Sequence, residues 1–206
     1  MNLEKIIRKN LLIEDNKRRD VIRQIVKDII TVFKNNDEGD YYLPEYFEER
    51  HMIYMFPGFV DELTVELFLN IDDSIDNFTV DANYYHSEEV IQVLIDYNPE
   101  NKRTMVYDLI GELNEIVAHE IRHIDQKNKG LYDLDVDEEE DPFKYYTQPH
   151  EIDAQIFGFN RLSKLTRRSF EEVVRNWYNT HKDIHRLSDE QSEEVINKLL
   201  SFKNKK

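Results

Sequence analysis

The chain contains no cysteine among its 206 residues. This absence excludes disulfide bonds, a cysteine nucleophile and any metal site built from thiolates. A zinc site in this chain must therefore use histidine and carboxylate ligands. Glycine and proline occur only five times each, which argues against a long flexible linker or a low-complexity region.

Basic residues are in the minority, since 27 Lys and Arg face 43 Asp and Glu and the formal net charge is −16. Nucleic acids and acidic membrane surfaces are disfavoured as partners, because both are bound through clustered Lys and Arg. Basic or neutral polypeptides remain open as partners. The chain shows no apolar run of the length that a signal peptide or a membrane span needs, so we expect a cytoplasmic location.

The hydrophobic pattern changes along the chain and predicts an α+β fold. Apolar residues recur at helical spacing from Leu3 to Phe33, which predicts one or two N-terminal helices. Apolar and polar residues then alternate in short runs, which predicts strands joined by short connections and hence an antiparallel β meander. These runs are 65–71, 78–84 and 91–97, with 52–56 as a further strand candidate.

The second half of the chain has the pattern of helices. A long helix is predicted from about Thr104 to Lys127. Thr147 is a candidate cap for the next helix, whose first turn would hold Pro149. Further helices are predicted at 169–185 and 188–203.

The long helix carries the sequence His119-Glu120-Ile121-Arg122-His123, a match to the pattern H-E-x-x-H. Residues four apart lie on one face of a helix, so the imidazoles of His119 and His123 can bind a single zinc ion. The carboxylate of Glu120 can reach a water on that metal and serve as the catalytic base. Apolar neighbours on the same helix would bury it against a sheet and hold the ligands rigid.

A catalytic zinc takes three protein ligands, so two histidines need a third partner. Glu151 is the strongest candidate, since it stands near the start of the next helix and opposite Ile152 and Ile156. The competing interpretation of Glu151 is an ordinary first-turn acid favoured by the helix dipole. Asp153 is an alternative ligand or a carboxylate that orients a histidine N–H, and His150 is a weaker alternative ligand.

A second pair of histidines, His181 and His185, also has the spacing of one helical turn, but Lys182 stands where the motif has glutamate. Most such pairs belong to solvated helix faces. One of the two histidines can still lie over the active site and stabilise an oxyanion. The rivals for that role are Tyr145, Tyr146 and Tyr178, and the sequence does not choose among them.

The motif at 119–123 followed by Glu151 resembles the zincin superfamily of metallopeptidases, in its gluzincin branch. The segment 149–154 resembles the third-ligand region of small zincins from bacteria and tailed bacteriophages. The resemblance implies that substrate lies as an added strand along a sheet edge, for which 89–97 or its neighbour is the candidate. The chain departs from the thermolysin type at Gln155, where that type has aspartate, so the expected orienting carboxylate is absent or moved to Asp153.

We expect a single zincin-like domain at 1–206, with an N-terminal helical segment 1–36, a catalytic core 52–165, which the resemblance covers, and a C-terminal helical segment 166–206. The expected function is hydrolysis of a polypeptide substrate with one zinc ion per chain, held by His119, His123 and Glu151, and with Glu120 as base. The first alternative is a zincin-like protein that binds metal or a partner without proteolysis, such as a phage or virion accessory protein. The second is an acidic helical adaptor or virion component that binds no metal. A phage-encoded protein would act in the host cytoplasm or the virion.

Overall fold

The structure is a computed structural model and describes residues 3–47, 63–85, 87–128, 130 and 141–204. The strand candidate at 52–56 lies outside the described residues. The elements in chain order are α1 (Leu3–Asn35), β1 (Gly39–Tyr42), α2 (Leu43–Tyr46), β2 (Thr64–Ile71), β3 (Phe78–Tyr85), β4 (Val90–Tyr97), a 3-10 turn (Pro99–Asn101), α3 (Val106–Asn128), α4 (Pro142–Tyr146), α5 (Pro149–Thr166), α6 (Phe170–Thr180), α7 (Lys182–His185) and α8 (Asp189–Asn204). The predicted α+β class is confirmed.

The four strands form one mixed sheet in the order β1-β2-β4-β3, not an antiparallel meander. β2 and β4 are parallel neighbours, with Thr64 opposite Val90, and β3 pairs antiparallel with β4. The predicted meander is therefore wrong, because β2 and β3 are not adjacent. Burial explains the order. The outer face of β2 and β4 is half-buried, whereas alternate residues of β3 are exposed, so β3 takes an edge.

β4 lies inside the sheet, so the segment 89–97 is not an edge and its neighbour β3 is. β1 forms the opposite edge and pairs antiparallel with β2. Neither β1 nor α2 was expected from the sequence, because the aromatic and acidic segment that holds them shows no clear period.

The helix α3 packs between the sheet, α1 and α5. Its buried residues Leu109, Leu113 and Val117 recur at helical spacing and join the main apolar core with residues of α1, β2 and β4. A buried ion pair also connects the two long helices, since Arg18 Nη2 lies 2.9 Å from Asp125 Oδ1. This packing holds α3 rigidly beside the edge strand β3.

The C-terminal helices pack on α5 through a second apolar cluster. Ser169 begins α6 with a capping box to Glu172, and α6 ends at Thr180, so the helix predicted at 169–185 is interrupted at His181. Thr147, the predicted cap of the next helix, instead follows the last residue of α4, and its hydroxyl donates a hydrogen bond to the carbonyl of Phe143. Among the helices described, none has the length and apolar character that crossing a bilayer requires.

Candidate metal centre

The three predicted metal ligands meet where α3 packs against the start of α5. The Nε2 atoms of His119 and His123 are 2.9 Å apart, as their spacing of one turn on α3 requires. Glu151 stands in the first turn of α5. Its Oε2 lies 3.3 Å from His119 Nε2, and its Oε1 lies 3.3 Å from His123 Nε2. The structure therefore brings one carboxylate against both imidazoles.

These separations fit a tetrahedral zinc site. Ligand atoms at the usual zinc distances lie about 3.3 Å from one another in a tetrahedron. The observed separations of 2.9, 3.3 and 3.3 Å are close to that value. In addition, Glu151 Oε2 is buried and accepts no hydrogen bond from any described residue. Buried carboxylate oxygens normally have such a partner, so this oxygen is suited to ligate a cation.

Glu120 lies beside the three ligands. Its Oε1 is 4.0 Å from His119 Nε2, and the donor atoms of His119, Glu120 and His123 all lie within 4.8 Å of one another. These three residues are thus also a group of metal-binding size. The 4.0 Å separation is longer than that of a tetrahedral ligand pair, whereas both separations of Glu151 match, so the geometry favours Glu151 as the third ligand.

The electrostatics of the site favour a positive charge between Glu151 and the imidazoles. Burial lowers the pKa of His119, but its contact with Glu151 and the charges of Glu120 and Glu115 outweigh burial and raise that pKa to about 9. Burial lowers the pKa of His123 to about 4. One imidazole thus holds a proton at neutral pH while the other does not, and a bound cation would take the place of that proton.

Burial also raises the pKa of the base candidate Glu120 to about 8. The negative charges of Glu151 and Asp81 act in the same direction. His119 and a hydrogen bond from the backbone of Tyr84 oppose the shift. The bond from Tyr84 ties the Glu120 carboxylate to the edge strand β3.

Gln126, which the sequence reasoning missed, orients His123. Its Oε1 lies 2.9 Å from His123 Nδ1, and its Nε2 donates to the carbonyl of His150 at 2.8 Å and to Asp153 Oδ2 at 3.2 Å. A carbonyl and a carboxylate only accept, so the amide oxygen faces His123 and Nδ1 carries the proton. The lone pair of Nε2 is then available to a metal ion. The i, i+3 spacing of these two residues is a signal from which Gln126 could have been found.

Asp153 and His150 lie behind the ligands. Asp153 Oδ2 accepts from Arg122 Nε at 2.6 Å as well as from Gln126, so it acts on His123 through the glutamine. His150 holds Gln126 through its carbonyl, and its Nε2 lies 3.5 Å from Glu151 Oε1. Glu151, and neither of these residues, lies within 3.3 Å of the Nε2 atoms of both His119 and His123.

A cleft of about 270 Å³ opens beside the ligands, between β3, α3, α5 and the C-terminal helices. His119, Glu120 and Glu151 line it, so reagents in the cleft reach the metal ligands and the base together. Of the predicted transition-state stabilisers, those that also line the cleft are Tyr145, Tyr146 and His181.

The structure places the other two predicted stabilisers, His185 and Tyr178, outside the candidate site. His185 is fully buried, and its Nε2 donates to the carbonyl of Tyr178 at 2.8 Å while its Nδ1 accepts from the backbone of Leu187 at 3.1 Å. The Tyr178 hydroxyl donates to Gln155 Oε1 at 2.5 Å. Both side chains make their hydrogen bonds inside the C-terminal core. The bond from Tyr178 also connects Gln155 to that core.

Comparisons with protein-family models, with curated proteins and with solved structures gave no match to this chain. The interpretation of the site therefore depends on its motif and its geometry. The zincin resemblance stays a prediction from the motif.

Proposed function

We propose that this protein is a zinc-dependent hydrolase that cleaves peptide bonds, a metallopeptidase of the zincin type. The observation that carries the proposal is the convergence of His119, His123 and Glu151, with separations of 2.9 to 3.3 Å and with Glu120 beside them in an open cleft. Structural zinc sites usually fill all four positions with protein ligands, whereas catalytic sites keep one position open. Three converging candidate ligands, of which His119 and Glu151 line a cleft, fit the catalytic type.

Zinc, when bound, would lower the pKa of a water molecule towards neutrality and polarise the carbonyl of the substrate. Glu120 acts as the general base, since it takes the proton of the attacking water and returns it to the leaving amine. Burial raises the pKa of Glu120, and a cation bound beside it would lower that pKa again and leave the carboxylate ionised, as a base must be. Tyr145, Tyr146 or His181, from the cleft wall, donates a hydrogen bond to the developing oxyanion.

The edge strand β3 is the surface on which an extended substrate would lie. Residues Thr79 to Asn83 line the cleft, and the backbone of β3 pairs with β4 on one side only. An extended peptide binds such an edge through main-chain hydrogen bonds. The hydrogen bond from Tyr84 to Glu120 sets the base beside that edge.

The decisive experiment combines metal analysis with one isosteric variant. Protein purified without chelators is expected to hold about one zinc per chain and to cleave peptides from a mixed library. Glu120→Gln should retain zinc and lose about 10²- to 10⁴-fold in cleavage rate. Glu194→Gln, which removes an equal charge from the surface of α8, is the control and should keep full activity. Absence of zinc, together with an unchanged spectrum on titration with cobalt, would reject the proposal.

Two alternatives explain less of the site. A protein that binds metal or a partner without proteolysis uses the same three ligands but gives Glu120 no task. A helical adaptor without metal leaves the buried Oε2 of Glu151 with the 3.3 Å ion pair to His119 but without a hydrogen bond among the described residues. Comparing the peptides released from a proteome by wild-type and Glu120→Gln protein separates the first alternative from a peptidase.

A further inference from the structure

The cleft continues along α3 from His119 towards the start of the helix. Glu115 and Glu112 precede His119 by one and two turns and line this part of the cleft. With a rise of 1.5 Å per residue, they stand about 6 and 10 Å from His119 along the helix axis. A row of carboxylates therefore leads away from the candidate metal centre.

Glu115 is the unusual member of this row. It is only 6% exposed, and its carboxylate makes no hydrogen bond or ion pair with the residues that the structure describes, although it faces the cleft. Burial raises its pKa to about 8. The charge of His119 opposes this shift but does not outweigh burial, so a cation that enters the cleft would be attracted to the Glu115 carboxylate.

The other groups around Glu115 leave that attraction in place. Asp81 adds a further carboxylate from β3, across the cleft. His181 Nε2 lies 3.8 Å from Glu112 Oε2, while His181 stacks on Trp177 at a centroid distance of 4.9 Å. Within the described ranges, neither lysine nor arginine lines the cleft. The whole chain carries a net charge of −16, which favours the approach of basic partners.

The walls between the metal ligands and these carboxylates are apolar. They are formed by Ile116 of α3, Phe159 of α5 and Trp177 of α6. Such walls can contact the methylene groups of a long side chain, while its charged end reaches the carboxylates.

We propose that this arm of the cleft is the specificity pocket for a lysine or arginine side chain next to the scissile bond. This inference rests on the proposed peptidase function. The methylene stem lies along Ile116 and Trp177, and the cationic end pairs with Glu115 and Glu112.

The first arm of the test compares cleavage of matched peptides. A bond cleaved in a peptide library is placed in acetylated peptides that differ only by lysine or norleucine at a flanking position. Lysine should be preferred in kcat/KM by about 30-fold or more, as expected for a desolvated charge pair. In Glu115→Gln the ratio between the two peptides should fall towards one. Glu194→Gln should leave both the ratio and the activity unchanged, since the charge it removes does not line the cleft and is exposed to solvent.

The second arm measures binding without turnover. Zinc-loaded Glu120→Gln is titrated by calorimetry with peptide pairs that carry lysine or norleucine at each position in turn. The lysine peptide should bind about 30-fold more tightly at one position, and adding Glu115→Gln should remove that difference.

The outcomes separate the pocket from the proposed function. Equal cleavage and equal binding of lysine and norleucine peptides would overturn the pocket while the peptidase stands. Selective binding without any cleavage by the zinc-loaded wild-type protein would overturn the peptidase while the pocket stands. A preference that requires a free N-terminal amine and disappears on acetylation would assign the carboxylates to that amine and also overturn the pocket.

Discussion

The Nδ1 atom of His123 lies 2.9 Å from the amide oxygen of Gln126, and the amide nitrogen of the same glutamine is held by a carbonyl and by Asp153. Replacing this glutamine should therefore weaken metal binding although it is not a ligand. We expect Gln126→Met to lower zinc affinity by about 10- to 100-fold in competition with a chromophoric chelator. Gln24→Met, which removes an amide bonded to Asp28 on α1, is the control and should not change affinity. Equal affinity of the two variants would remove the orienting role.

Glu151→Gln should cause a larger loss. Its carboxylate contacts both imidazoles, so the variant removes a charged ligand and zinc affinity should fall by more than about 100-fold, beyond the effect of an outer partner. Asp153→Asn is the matched comparison on the same helix and should have the smaller effect. If Asp153→Asn abolishes binding and Glu151→Gln does not, the third ligand is Asp153.

Glu115 lies so close to Gly158 that no side chain fits there. A Cβ on Gly158 would fall 2.6 Å from Glu115 Oε1 and 2.9 Å from the Glu115 carbonyl oxygen. The carboxylate can move, but the backbone of α3 cannot, so Gly158→Ala should lower the free energy of unfolding by about 1 to 3 kcal/mol. Urea unfolding provides the measurement.

Gly111 on α3 supplies the control for Gly158. A Cβ there meets only Leu162 Cδ1, at 3.6 Å, which is an ordinary contact. Gly111→Ala should be neutral or stabilise the protein by up to about 1 kcal/mol, because alanine favours a helix over glycine. Equal effects of the two substitutions would show that α3 and α5 are not held at this separation.

Tyrosine-to-phenylalanine variants should separate the cleft from the C-terminal core. Tyr178→Phe removes a buried hydrogen bond to Gln155, so it should cost about 1 kcal/mol of stability and leave kcat unchanged. Among Tyr145→Phe, Tyr146→Phe and His181→Gln, one variant should lower kcat by about 10²- to 10³-fold, as the loss of an oxyanion donor does. A loss of kcat in Tyr178→Phe at unchanged stability would contradict this assignment.

A peptide trapped on zinc-loaded Glu120→Gln should extend the sheet at β3. Amide hydrogen exchange of Phe78–Tyr85 should slow when the peptide binds, because free edge amides gain partners. The opposite edge, Gly39–Tyr42, is a natural control and should exchange at its original rate. Protection at β1, or at neither edge, would reject the edge-strand model.

Local pattern and spacing were enough to locate most helices and strands, the H-E-x-x-H motif at 119–123 and Glu151, the residue that the structure brings against both histidines. Alternation with period two marks β2, β3 and β4 without any knowledge of their partners, because it reports only which face of a strand is buried. The i, i+4 spacing likewise places His119 and His123 on one helix face before any tertiary contact is known. β1 was missed because the segment that holds it shows no clear period. The break at His181 was missed because it leaves no signal in the local pattern.

The amino-acid sequence by itself determined the α+β class, the absence of thiolate chemistry and the pairing of His119 with His123, since each follows from composition or from spacing within one element. Only the tertiary structure decided the parallel pairing of β2 with β4, the approach of Glu151 to both histidines and the burial of the His185 and Tyr178 side chains in the C-terminal core. The physical reason is that these contacts join separate elements. Their geometry follows from how the buried faces of sheet and helices pack together, which no local period encodes.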